Sequence, residues 1–154
     1  MSVELRPASA LSLGERAKLF TAGYEGYLMP MHIDEAALGW MQQTFDFDVE
    51  ASRIAYQDGE PVGLVNLGVR EADAWIGGLG VVASARRSGI GEALMDAAHD
   101  AARSRGVERV WLEVIVENTS ALALYEKLGY SVVQDVEVWT LPSAAGGHAG
   151  REVT

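Results

Sequence analysis

Between Ala74 and Val116 a strand, a basic glycine-rich loop, a long amphipathic helix and a second strand follow one another without interruption. From about Gly89 to Arg105, the residues Ile90, Leu94, Ala97 and Ala101 recur at helical spacing while Asp96, Asp100 and Arg103 fall elsewhere. Gly106 stands where a helix stops in a left-handed residue. Val110, Leu112, Val114 and Val116 then alternate with Trp111, Glu113, Ile115 and Glu117, giving a strand with two distinct faces.

Upstream, Ser2 to Pro7 reads as a short strand, and Leu13, Ala17, Phe20 and Tyr24 line one face of a helix ending at Gly26. Asp34 caps a second helix bearing Leu38 and Met41. Ser52 to Gln57, the type I′ signal Asp58-Gly59 and Pro61 to Arg70 form a hairpin. After Val116, a shorter helix spans Thr119 to Leu128 and closes at Gly129, and Ser131 to Leu141 reads as a final strand pair. Antiparallel hairpins followed by strand, helix and strand predict an α/β (α+β mixed) domain. Its sheet is mixed, mostly antiparallel, of six to seven strands, with helices on both faces.

A chain of 154 residues suits one domain. Residues 1–141 are assigned to it, and the Ala/Gly-rich segment 142–154 reads as a flexible tail. No stretch approaches the roughly 18 apolar residues of a spanning helix, the N-terminus lacks the apolar core of a secretory signal, and there is no cysteine. These features predict a cytoplasmic protein without membrane association. His32, Asp34 and Glu35 match no metal-ligand spacing, so no metal is expected.

Acidic residues outnumber basic ones 22 to 12, for a net charge of −10, which disfavours nucleic acid as a partner. The charge is unevenly spread: Ala83 to Gly91 hold Arg86 and Arg87 and no acid. An acidic chain with one cationic loop points to an anion held at one place. In Val81-Val82-Ala83-Ser84-Ala85-Arg86-Arg87-Ser88-Gly89-Ile90-Gly91 a strand gives way to a helix, whose first amides and positive dipole end make an anion cradle. Glycines let phosphate oxygens approach the backbone, arginines supply charge-assisted bonds, and a diphosphate is the natural guest. A P-loop would need Gly-Lys-Ser/Thr, which is absent. Gly78-Leu79-Gly80-Val81-Val82-Ala83 matches a relaxed dinucleotide fingerprint, yet that motif opens a helix directly and here the helix begins some six residues later.

Arg86-x-x-Gly89-x-Gly91, Leu112-Glu113-Val114, Asn118, Ala121, Leu124-Tyr125-Glu126 and Leu128-Gly129-Tyr130 together resemble the GCN5-related N-acetyltransferase (GNAT) superfamily. The stretch from Leu112 to Tyr130 is most similar to the branch that acetylates N-terminal alanines of ribosomal proteins. The resemblance covers about residues 79–130. It implies that acetyl-CoA lies in an opening between the strands Ala74–Val82 and Arg109–Val116, its pantetheine arm on the backbone of Val81 and Val82. Its diphosphate would sit on Arg86, Arg87, Ser88, Gly89, Ile90 and Gly91, with Asn118 as a further contact. It implies that the amide of Val81 or its neighbour polarises the thioester, that Tyr125 protonates the departing sulfur and that Glu113 is the general base. The first two helices and their connection then shape the acceptor pocket, which points to Tyr24, Tyr27 and His32, with Glu25, Met29 and Asp34 nearby.

The function so implied is acetyl transfer from acetyl-CoA to a primary amine of a small molecule or a protein N-terminus. The alternatives are a non-catalytic acyl-CoA sensor and a dinucleotide-binding domain. Edge strands near the C-terminus make a homodimer a further expectation.

Overall fold

The structure is a computed structural model, and it describes residues 3–27, 31–139 and 149–153. The backbone gathers into two compact units, Met1–Trp111 and Leu112–Thr154.

The first unit runs β1 (Val3–Pro7), α1 (Leu13–Gly23), α2 (Glu35–Thr44), β2 (Arg53–Gln57), β3 (Glu60–Arg70), β4 (Asp73–Val81), α3 (Ile90–Ser104) and β5 (Arg109–Trp111). Its five strands lie in sequence order, antiparallel except for the parallel pair β4–β5. Local chemistry explains the helix starts. Ser12 and Glu15 form a reciprocal capping box on α1, with the Glu15 amide donating to Ser12 Oγ at 3.2 Å and the Ser12 amide to Glu15 Oε1 at 3.1 Å. Asp34 Oδ1 accepts from the Ala37 amide at 2.8 Å and caps α2, as expected. Asp58 and Gly59 both have positive φ, 52° and 84°, as a type I′ hairpin requires.

β3 is buried from Val62 to Gly68 because both of its faces are covered. Leu64, Ile54 and Tyr56 share a core with Phe20, Ala17 and Leu38 of α1 and α2. On the other face, a Cβ at Gly63 would stand 3.1 Å from Leu94 of α3. The buried face of α3 consists of Ile90, Leu94, Met95, Ala98, Ala101 and Ala102. α1 ends at Gly23, three residues before the expected stop, and Gly26 takes the left-handed conformation just beyond it, at φ +82°.

Asp48 joins the turn before β2 to the end of α3, because its carboxylate accepts from the amides of Glu50 and Ala51 and from Arg105 Nε at 3.0 Å. Burial alone would raise this carboxyl, but the Ala51 and Glu50 amides and the Arg105 guanidinium together hold it below the usual carboxylate range. A group lowered by folding stabilises the native state above its unfolded pKa, and that contribution is lost as pH falls through the native value. Asp48→Asn is therefore expected to lower Tm at and above about pH 5, with the difference from wild type closing as pH falls through the lowered native value in a thermal-melt series.

The second unit contains β6 (Val114–Ile115), α4 (Thr119–Lys127), β7 (Asp135–Trp139) and β8 (Ala149–Val153), the strands in the antiparallel order β6-β8-β7. The mixed α/β class is as expected, but among the described residues the sheet of six to seven strands is found as a mixed sheet of five in the first unit and a sheet of three in the second. The alternating run from Val110 to Val116 is divided between them: Arg109–Trp111 pairs with β4, Val114–Ile115 pairs with β8, and Leu112 and Glu113 belong to neither. Alternation marks a strand but does not say which partner holds it. Of the expected strand pair Ser131–Leu141, Asp135–Trp139 forms one strand, and its partner comes from the segment read as a tail. Ala149–Val153 forms β8 because two neighbours satisfy its backbone, whereas its Ala/Gly content carries little strand signal. Residues 140–148 and Thr154 lie outside the described residues.

Candidate active site

The geometry begins at β4. Val82 donates its amide to the Val62 carbonyl at 2.8 Å, and Gly80 and Val81 stand opposite Leu64 and Gly63. Backbone groups in an antiparallel ladder alternate sides, so the amides of Leu79 and Val81 face away from β3. β5 pairs only with Asp73 to Trp75, and among the described residues no strand pairs with this side of β4 beyond Trp75. The ladder between β4 and β5 is therefore three residue pairs long, the whole of β5. Just past it on β4, Val65 faces Leu79 while Leu67 faces Ile76, so that Gly77 and Gly78 both oppose Asn66 in a bulge. Gly78 has φ +139°, and a Cβ there would meet the Phe20 ring at 2.8 Å. The glycine run thus serves both a bulge and close packing.

Beyond β4 a short turn leads to Arg87 and Gly89, both left-handed at φ 63° and 81°. Nothing lies within 4 Å of where a Gly89 Cβ would be. α1, α2 and α4 each carry a side-chain cap from Ser12, Asp34 and Asn118, but α3 has none. Ser88 Oγ instead donates to the Ala85 carbonyl at 2.6 Å. The first-turn amides of α3, those of Ile90 and Gly91 among them, thus meet no capping side chain at the positive end of a 15-residue helix. Ile90 anchors this end in the core at 2% exposure. With Arg87 exposed beside it, this arrangement fits a diphosphate.

Arg86 is placed differently from its neighbour. Its Nε donates to the Val81 carbonyl at 2.8 Å, and its Nη2 donates to the carbonyls of Gly23 at 3.2 Å and Glu25 at 2.6 Å. The guanidinium also lies 4.6 Å over the Tyr27 ring. Of the backbone pair expected to meet the cofactor, Val81 has its amide on the unpaired side of β4 and Val82 has its amide committed to β3.

Tyr24 stacks on Phe20 at 5.1 Å, and its hydroxyl accepts from the Leu79 amide at 3.3 Å. Burial pushes its phenol above the ordinary value, so it stays protonated at neutral pH. Tyr24 and His32 both line a cavity of about 620 Å³, together with Lys18, Thr21, Glu25, Ile33, Asp34 and Glu35. Tyr27 is outside that lining and packs between Tyr24 and Arg86. Met29 lies outside the described residues.

In the second unit, Glu113 is exposed and precedes β6. Asn118 Oδ1 accepts from the Ala121 amide at 3.2 Å and so caps α4. Tyr125, on α4, is half-buried and meets Tyr130 edge-on at 5.8 Å. Among the described residues no group of three or more His, Cys, Asp or Glu side chains could hold a metal ion. No described helix is long and apolar enough to cross a membrane.

The inward turn of Arg86 and the hydroxyl contact of Tyr24 were not legible from the motif. The signal that bears on both is the set of small residues where α1 meets β4, since a Cβ at Gly23 would stand 3.0 Å from Gly80 Cα.

Comparison with known proteins adds four findings. A model described as the acetyltransferase (GNAT) family matches residues 19–130. The chain is 40% identical over 90 residues to the mycothiol acetyltransferase of Beutenbergia cavernae, a stretch that is 56% of this chain but 30% of that protein. It is 30% identical over 105 residues to the ribosomal protein bS18-alanine N-acetyltransferase of Escherichia coli, 65% of this chain and 71% of the relative. The crystal structure of the ribosomal-protein-S18-alanine N-acetyltransferase from Escherichia coli superposes with a TM-score of 0.75 at 20% identity, covering 99% of this chain and 92% of that one, a likeness of fold.

Proposed function

The chain belongs to the acetyltransferase (GNAT) family, whose members use acetyl-CoA, and on that premise we propose that it acetylates a primary amine by direct attack of the neutral nitrogen on the thioester. The observation that carries the reading is the side of β4 that no described strand pairs beyond Trp75, followed after a basic turn of eight residues by the start of α3, which has no side-chain cap. A strand edge that offers the Val81 amide and a helix start that offers further amides beside Arg87 suit an elongated ligand with a diphosphate at one end.

Acetyl-CoA supplies an activated acyl carbon, and this chain's residues position it and manage protons. The Val81 amide donates toward the thioester oxygen, where negative charge grows during attack. Glu113 takes a proton from the amine, and Tyr125 gives one to the leaving sulfur. The carbon–nitrogen bond forms as the carbon–sulfur bond breaks, leaving an amide and free CoA. For the acceptor, one relative is named for mycothiol and another for an alanine of a ribosomal protein, so similarity supports both a small molecule and a protein N-terminus. Glu25, Asp34 and Glu35 around the cavity beside Tyr24 and His32 suit a cationic amine in either case.

The test is thiol release from acetyl-CoA across a panel of amines and N-terminal peptides, with CoA binding measured beside it. Release with at least one acceptor supports the reading, and tight binding without release from any overturns it in favour of a sensor. Arg87→Ala is expected to weaken CoA binding about tenfold, with a shallower salt dependence than wild type, because one charge-assisted phosphate contact is lost.

A further inference from the structure

We infer that Arg86 is a positioning residue that latches the end of α1 to the donor strand, and that it does not serve as a ligand of the cofactor phosphates. The last carbonyls of a helix have no partner within it and sit at its negative end. Arg86 reaches two carbonyls at the α1 terminus, Gly23 and Glu25, and one on β4, Val81, through a single planar guanidinium. Tyr27 lies under the same plane, which adds a cation–π contact and removes one face of the group from solvent.

The latch closes a joint that the backbone already makes tight. Gly23 rests closely on Gly80, where a Cβ on either would stand 3.0–3.1 Å from the other's Cα, and Tyr24 accepts from the Leu79 amide. The residues that follow α1 on the acceptor side are therefore fastened to the β4 stretch whose Val81 amide is proposed to face the donor. The contacts themselves are independent of the acetyl-transfer reading. Their consequence for turnover rests on it: losing the latch frees the wall carrying Tyr24 and Tyr27 and so weakens the acceptor more than the donor.

The test compares Arg86→Ala, Arg86→Lys and Arg87→Ala by amide hydrogen exchange on the free protein and by titration with CoA. Lysine keeps the charge that attracts a phosphate but cannot span three carbonyls in one plane, so it separates the two roles and serves where the alanine variant fails to fold. In the Arg86 variants, exchange of the Tyr24, Glu25 and Tyr27 amides, which close the end of α1, is expected to speed up by about tenfold or more. CoA affinity is expected to stay within about threefold, and the acceptor KM to rise about five- to tenfold with the KM for acetyl-CoA held. A loss of CoA affinity in Arg86→Lys or Arg86→Ala as large as in Arg87→Ala overturns the latch, as does unchanged exchange at residues 24–27. A wild-type protein that binds no CoA removes the acetyl-transfer reading and leaves the exchange test standing.

Discussion

Tyr125→Phe is expected to slow acetyl transfer by roughly 10²- to 10³-fold while CoA affinity stays within about twofold of wild type. The substitution keeps the ring that meets Tyr130 edge-on at 5.8 Å and removes one oxygen, so it reads the hydroxyl and not the packing of α4. A thiolate leaving without a proton carries its full charge in the transition state, and a phenol that gives its proton during cleavage relieves that cost. The measurement is single-turnover thiol release at saturating acetyl-CoA, with binding followed separately. Because the proposed role has the hydroxyl act only after the donor is bound, the loss is expected in the chemical step and not in the KM for acetyl-CoA. An unchanged rate would remove Tyr125 from the mechanism and leave the proton to another group.

Gly68→Ala is expected to destabilise the fold by about 3 kcal/mol or more and to lower Tm by roughly 8–12 °C. A Cβ at Gly68 would stand 2.2 Å from the Phe45 carbonyl oxygen, a backbone atom and not the end of a flexible side chain. The segment around Phe45 cannot withdraw cheaply, because the Asp48 amide donates to the Leu67 carbonyl at 2.8 Å and the Val69 amide donates to the Asp46 carbonyl at 3.1 Å. Either those bonds break or the core containing Phe47 shifts, and each route costs several contacts in a close-packed interior. Differential scanning calorimetry measures the change directly. A variant melting within about 2 °C of wild type would show that the joint between residues 45–48 and β3 is softer than its hydrogen bonds imply.

Several features were legible because their signals are local. Asp34 reads as a cap and is one, Asp58-Gly59 reads as a type I′ turn and has the positive φ angles of one, and the apolar stripe from Ile90 marks the helix behind the cationic loop. Less legible was the partner of each strand. Nothing in the alternation of Val110 to Val116 tells that its first part joins β4 and its last part joins β8. β8 itself was hidden, since alanine and glycine carry weak strand preference and its ladder comes from the preceding strand β7 and from the more distant β6.

The chain's own order of residues determined that a strand would run through a basic, glycine-bearing loop into a helix, the place proposed here to hold an anion. Hydrogen-bonding alternation, turn geometry and helical periodicity act over a few residues, so they are written where they operate. The tertiary structure decided what each of the two adjacent arginines does. Arg86 and Arg87 are equivalent as letters, but the carbonyls of Gly23, Glu25 and Val81 come together only when α1 docks on β4, and that docking gives one guanidinium three inward partners while the other remains at the surface.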